Sequence, residues 1–153
     1  MTTLTRRYHF SASHRLHSPE LSDAENENLY GKCNNPFGHG HNYVLDVTAA
    51  GPIDDATGLI CPLDALDRLV REKVLNVFSH RNVNRDIPPF ARLVPTTENI
   101  ALVVVDLLRA DWEAYLGSRV KLHRVHIQET DRNGFEVFAA NAPGSRVHPG
   151  RNA

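Results

Sequence analysis

From His39 to Val47 the chain alternates in a way that suits an extended strand. His39, His41, Tyr43, Leu45 and Val47 fall on one parity, and Asn42, Val44, Asp46 and Thr48 on the other. Successive side chains of a strand point to opposite faces, so residues two apart share a face. His39 and His41 therefore project together, and Gly40 between them has no side chain to crowd the reverse side. Gly51-Pro52 ends the run. Two imidazoles on one face are two of the three protein ligands that a catalytic zinc site takes, its fourth position staying open. Such a strand needs a third donor from a neighbour.

The segment from Arg7 to His14 offers one. Tyr8, Phe10, Ala12 and His14 share a parity, and the apolar row ends in an imidazole that faces inward. Taken alone, His14 reads as a hydrogen-bonded core histidine. If the two strands are antiparallel neighbours, His14 meets His39 and His41 at their shared end. His9 and His17 fit no such row and are expected at the surface.

The remaining elements frame this pair. Ser18 to Tyr30 is polar and long enough to lie over a site, and Ser22-x-x-Glu25 can cap a short helical turn. Leu63, Leu66, Leu69, Val70, Val74, Val77 and Phe78 recur at helical spacing behind Pro62. A second helix opens at Thr96-Thr97-Glu98 and carries the stripe Ile100, Val103, Val104, Leu107, Leu108 and Trp112 to a stop at Leu116-Gly117. Capping alone accounts for Thr96, Thr97 and Glu98. Two alternating runs, 120–129 and 135–140, flank the turn Asp131-Arg132-Asn133-Gly134 and predict a hairpin. The order ββααββ predicts an α+β domain over residues 1–141, a four-stranded antiparallel sheet with two helices on one face. Residues 142–153 are expected to form a disordered tail.

Composition narrows the function. With 153 residues the protein has room for one well-filled core, and its formal charge of −1 argues against a nucleic-acid or polybasic membrane surface. The N-terminal residues lack the apolar stretch of a signal peptide, and two cysteines make no disulfide framework, so a reducing, cytoplasmic setting is expected. Cys61 sits in an apolar patch and reads as a buried structural thiol. Cys33, six residues before His39, has two uses. It either completes a closed structural zinc site or stands beside the metal as a thiolate base or nucleophile. A cupin-like site also uses His-x-His on a strand, but the nearest acid, Asp46, falls on the opposite face, and two helices suit that fold poorly.

The motifs Phe10-Ser-Ala-Ser-His14, Gly31-Lys-Cys-Asn-Asn-Pro-Phe-Gly-His-Gly-His-Asn42, His80-Arg-Asn82, Thr96-Thr-Glu-Asn99 and Gln128-Glu-Thr-Asp131 together resemble the 6-pyruvoyl-tetrahydropterin synthase family, which includes the 6-carboxytetrahydropterin synthases of queuosine biosynthesis. The resemblance implies the tunnelling fold, with subunits closing a barrel as trimers that stack into hexamers. It implies Zn²⁺ on His14, His39 and His41, and Cys33 as general base. It also implies Glu129 as the pterin anchor, with Thr96, Thr97 and Glu98 lining the pocket. His80 would serve as a proton relay from a neighbouring subunit. The implied substrate is 7,8-dihydroneopterin triphosphate, converted to the pyruvoyl product with loss of triphosphate. Mg²⁺ is a candidate companion of that triphosphate, and Lys32 and Arg15 are candidate contacts to it. The spacing Cys-x5-His-x-His favours the pyruvoyl over the carboxy branch. Ser79 departs from the family's aspartate before the relay histidine; Asp86 is the nearest acid that could take its part.

Overall fold

The computed structural model describes residues 1–144. Strands β1 (Thr3–His14) and β2 (His39–Ala50) are the long centre of a five-stranded sheet in the order β3-β1-β2-β4-β5, with β4 at Lys121–Gln128 and β5 at Gly134–Phe138. β1 and β2 pair antiparallel over their whole length, from Thr3 opposite Ala50 to His14 opposite His39. That register sets the last residue of one strand against the first of the next.

One expectation is corrected. The sheet has five strands, because Arg81–Asn82 forms a short β3 that pairs in parallel with Ala12 and Ser13 of β1. Two residues carry no periodicity, so nothing in the sequence marks them as a strand. The pairing follows a sharp turn in which His80 adopts φ +59° and its N–H donates to the Ser11 carbonyl at 2.6 Å. A non-glycine residue in that region costs about 1–3 kcal/mol and persists only where its surroundings impose it.

The predicted first helix spans α2 (Leu63–Val70), a π-turn over Arg71–Leu75, and α3 (Asn76–Phe78). Leu66, Val70, Val74 and Phe78 are all fully buried, and they recur every four residues. A regular 3.6-residue helix would rotate that row off the core by about 40° per step. The wider π-turn absorbs the mismatch and keeps Val74 and Phe78 facing inward. Helix α5 (Thr97–Leu116) packs beside it, burying Ile100, Val104, Leu108 and Trp112, whose indole N–H donates to the Val120 carbonyl at 2.9 Å.

Both helices cover the sheet face that carries Phe10, Ala12, Tyr43, Leu45 and Val47. On that face Asp67 of α2 ties helix to strand by accepting two bonds from Arg6, at 2.8 and 2.7 Å, and one from the Tyr8 hydroxyl at 2.8 Å. The other face is polar: Arg7 grips Asp46, and the Ser11 and Asn42 side chains bond at 2.7 Å. The linker helix α1 (Asp23–Tyr30) is opened by the Ser22/Glu25 capping box, as its spacing predicts. A last short helix, α4 (Val83–Asp86), follows β3. No helix of the described residues is long and apolar enough to cross a membrane. Residues 145–153, most of the expected tail, lie outside the described residues.

Candidate metal centre and adjoining cavity

The β1–β2 register brings His14, His39 and His41 together on the core face, with one ligand atom of each lying within 4.8 Å of the others. His14 is fully buried. Its Nδ1–H donates to the Pro95 carbonyl at 2.7 Å, so the lone pair of this imidazole sits on Nε2. That Nε2 lies 3.0 Å from Nε2 of His39. A carbonyl on the far ring nitrogen is the usual outer support of a metal-binding histidine. Burial pushes the pKa of His14 down to about 4, and the neighbouring imidazoles add to the effect. His39 is lowered for the same reasons, burial first and His41 second. Both rings are therefore neutral near pH 7, the state a metal requires.

A further atom points to an occupant: His41 Nε2 is buried without a hydrogen-bond partner. Such groups are costly to bury unless something binds them. A tetrahedral zinc with arms of about 2.0–2.1 Å spaces its nitrogens by about 3.4 Å. The His14–His39 separation of 3.0 Å is close to this. The three nitrogens, within 4.8 Å of one another, are a group that could hold a metal ion once its sides close to that spacing. Cys33 is not a member of the set, so the described residues form an open three-nitrogen site rather than the closed one that a fourth sulfur ligand would make.

The loop before β2 is shaped to deliver these rings. Asn35 closes a turn by accepting the Gly38 N–H on its carbonyl at 2.9 Å and the Phe37 N–H on its side chain at 3.0 Å. Gly38 sits at φ +75°, and a Cβ there would meet the His14 carbonyl oxygen at 3.0 Å, so both conformation and space demand glycine.

Cys33 lies on a 3₁₀ turn, Gly31–Asn34, held to the end of β1 by the Leu16 N–H donating to its carbonyl at 2.9 Å. The thiol is half-buried and lines a cavity of about 500 Å³ with Leu16, Thr97, Glu98, Glu129 and Phe135. Thr97 departs from the capping expectation. Thr96 is the N-cap, accepting the Asn99 N–H, whereas the Thr97 hydroxyl donates in a very short bond to Glu129. The other oxygen of Glu129 lies 3.6 Å from Nε2 of His41. Glu129 thus joins the cavity to the histidine trio. Glu98 is an exposed rim residue.

A family model described as 6-pyruvoyl tetrahydropterin synthase matches residues 3–140. The chain belongs to that family. It is 45% identical over 130 residues to 6-pyruvoyl tetrahydrobiopterin synthase of Homo sapiens, covering 85% of this chain and 86% of that one. Identity to the Poecilia reticulata protein of the same name is also 45%, over 85% of each chain. A 6-carboxy-5,6,7,8-tetrahydropterin synthase of Rickettsia typhi is 27% identical over 117 residues, 67% of this chain and 76% of that one. The solved 6-pyruvoyl tetrahydropterin synthase of Caenorhabditis elegans shares the fold with a TM-score of 0.81 at 39% identity, over 90% of this chain and 94% of that one. The architecture is therefore the family's tunnelling fold.

The remaining predicted residues do not line the cavity of Cys33. His80 is exposed and, with Ser79, lines a groove formed by His9, Ser11 and Asn42 on the opposite face of the sheet, away from the cavity of Cys33. Asp86 shares with His80 an adjoining groove that His41 also lines, and its carboxylate accepts the Asn82 N–H at 2.8 Å. Lys32 is exposed. Cys61 is buried at 3% exposure, as its apolar patch predicts, and burial pushes its thiol pKa up.

Tyr43 and Pro95 are not among the predicted site residues. Tyr43 shares the parity of His39 and His41, a signal the sequence carries; its ring meets His41 edge-on at 5.6 Å, and its buried hydroxyl has no partner. The Pro95 carbonyl is a backbone atom that no side-chain pattern could flag.

Proposed function

We propose that this protein is a zinc-dependent lyase converting 7,8-dihydroneopterin triphosphate to 6-pyruvoyl-tetrahydropterin with loss of triphosphate. The observation that carries the reading is the convergence of Cys33, Thr97 and Glu129 on one cavity beside three imidazoles. His14, His39 and His41 hold the ion, which when bound supplies Lewis acidity to the hydroxyls of the substrate side chain. Glu129, oriented by Thr97, accepts paired N–H bonds from the pterin ring, a geometry suited to a carboxylate. The Cys33 thiolate takes a proton from carbon in the substrate's hydroxylated arm. The hydrogens lost from that arm return to the pterin ring, so no external oxidant or reductant is needed.

His80 acts as the relay from a neighbouring subunit, in keeping with its exposure and its absence from the lining of its own subunit's cavity. Ser79 provides only a neutral partner to it, and Asp86 is the carboxylate that shares a groove with it. This requires an oligomer, for which the family resemblance implies a trimer or hexamer, and joining the β3 and β5 ends of neighbouring sheets would cover their open edges. Mg²⁺ accompanies the triphosphate, and the protein works in the cytoplasm. The Cys-x5-His spacing and the higher identity to pyruvoyl-forming relatives favour this product over a 6-carboxypterin and acetaldehyde.

The test is incubation of the purified protein with dihydroneopterin triphosphate, with and without chelator, followed by mass spectrometry. A chelator-sensitive pyruvoyl product is expected. A carboxypterin with acetaldehyde would move the protein to the other branch, and no chelator effect would remove the metal from the reaction.

A further inference from the structure

A second cavity, of about 560 Å³, lies apart from that of Cys33. The two have no lining residue in common. Alternate residues past the end of β1 divide between them: Leu16 lines the thiol's cavity, whereas Arg15 and His17 line this one. A ligand on this lining touches none of Cys33, Thr97, Glu129 and the histidine trio.

The charge of the second cavity is one-sided. Arg15, Arg85, Arg92 and His17 line it, and no aspartate or glutamate does. Elsewhere Arg6, Arg7, Arg109, Arg119 and Arg124 each pair with a carboxylate. Among the described residues none of the three cavity arginines is in such a pair. In a protein of formal charge −1, three uncompensated guanidiniums around one concavity favour an anion.

Part of that wall is rigid. The Arg15 backbone is clamped from both sides by the Asn84 amide, at 2.8 and 2.9 Å. Its Nε–H donates to the Asn34 carbonyl at 2.9 Å, which leaves the two terminal amino groups free for a ligand. Asn34 in turn donates to the Leu16 carbonyl at 2.7 Å and to Nδ1 of His17 at 3.1 Å. Nδ1 of His17 is therefore the acceptor, and Nε2 carries the proton as a donor.

Beside these donors stands an uncovered aromatic ring. Phe37 lines the same cavity and is 95% exposed, the most exposed large apolar side chain of the described residues. Its backbone is fixed all the same: its N–H donates to the Asn35 side chain at 3.0 Å, and Gly38 after it is held at φ +75°. A phenylalanine left in water forgoes the free energy of its burial, which a flat partner laid on the ring recovers.

We propose that this cavity binds a nucleotide, its phosphates against Arg15, Arg85, Arg92 and His17 and its base on Phe37, at a site separate from that of the pterin. Guanidinium forks match phosphate oxygens bidentately and stay charged at any physiological pH. Every base has a π-face, so stacking on Phe37 tolerates any of them and ATP serves as the probe.

The experiment titrates the full-length protein with ATP and with inorganic tripolyphosphate by calorimetry, beside the double variant Arg85→Gln/Arg92→Gln, the charge-keeping variant Arg92→Lys, and Phe37→Ser. The three side chains are exposed and belong to no ion pair, so metal content and thermal midpoint should not move. ATP should bind about tenfold more tightly than tripolyphosphate, and Phe37→Ser should erase that advantage while leaving tripolyphosphate binding as it was. The double variant should lose about tenfold in affinity for both anions for each guanidinium removed, and Arg92→Lys should lose less than that. In Cys33→Ala protein, an excess of dihydroneopterin triphosphate should leave the Kd for ATP unchanged. Displacement of ATP by that compound would overturn the proposal, because the cavity would then belong to the substrate. Equal affinity for ATP and tripolyphosphate would overturn the nucleotide, and unchanged binding in the double variant would overturn the site itself. The comparison of ATP with tripolyphosphate across the variants reads binding alone, so it stands whether or not the protein turns over a pterin.

Discussion

Tyr43→Phe should make the protein more stable and less active. The Tyr43 ring is wholly buried, stacked on Phe10 at 4.9 Å and 15°, and edge-on to His14 at 6.3 Å. Phenylalanine keeps all of these contacts, so no cavity forms. What it removes is a buried hydroxyl without a partner, a group whose burial costs about 1–3 kcal/mol. Burial first, then the charges of Glu129 and Cys33, push the pKa of this phenol upward, so it stays protonated and able to donate. A protein retains such a cost where the group is used once the site is filled.

The variant should therefore gain about 1 kcal/mol, a rise in midpoint of about 2–4 °C for a protein of this size. Turnover should fall by about tenfold if one hydrogen bond is lost from the filled site. Thermal unfolding of metal-free protein and steady-state kinetics of the metal-loaded form read the two effects separately. A loss of about 1 kcal/mol or more in the metal-free variant would refute the reasoning, because it would mean that the hydroxyl is already satisfied within the fold.

Cys33→Ala should retain zinc and lose turnover by at least about a hundredfold; zinc loss with unfolding, read by metal analysis and circular dichroism, would favour a structural site instead. For His14, the folded pKa of about 4 lies below the ordinary 6.5, so protonation favours the unfolded state. The stability of metal-free protein should be constant above about pH 6.5 and fall as pH drops from there to about 4, by on the order of 3 kcal/mol in all; urea midpoints across that range check it, and His14→Asn should flatten the slope. Ser79→Asp, by restoring a charge beside His80, should raise kcat several-fold without changing zinc content; a fall would show that Asp86 or the serine itself is the better partner. Trp112→Phe should cost about 1–2 kcal/mol, because the indole's bond to the Val120 carbonyl goes and leaves that buried carbonyl unpaired; denaturant titration would detect the change.

Much of the site was legible in the sequence because strand parity is a strict rule. The row Tyr8, Phe10, Ala12, His14 and the row His39, His41, Tyr43, Leu45, Val47 each name their inward face without reference to a partner. The capping box at Ser22 and Glu25 was equally local, since it depends on contacts three residues apart, and the burial of Cys61 followed from the apolar residues around it. Helix boundaries at Leu63 and Thr97 followed from periodicity and caps for the same reason.

What the sequence alone determined was which faces are buried and which donors lie on them. Only the tertiary structure decided who meets whom. Residue-by-residue pairing of β1 with β2 set His14 against His39, and the packing of the segment before α5 brought the Pro95 carbonyl to the back of His14. The fold also gave Thr97 to Glu129 rather than to the helix end, and bent His80 into a left-handed turn that starts β3 at the edge of the sheet. These outcomes depend on distances between segments tens of residues apart. Local pattern holds no record of such distances, because they are set by how the whole molecule fills its core.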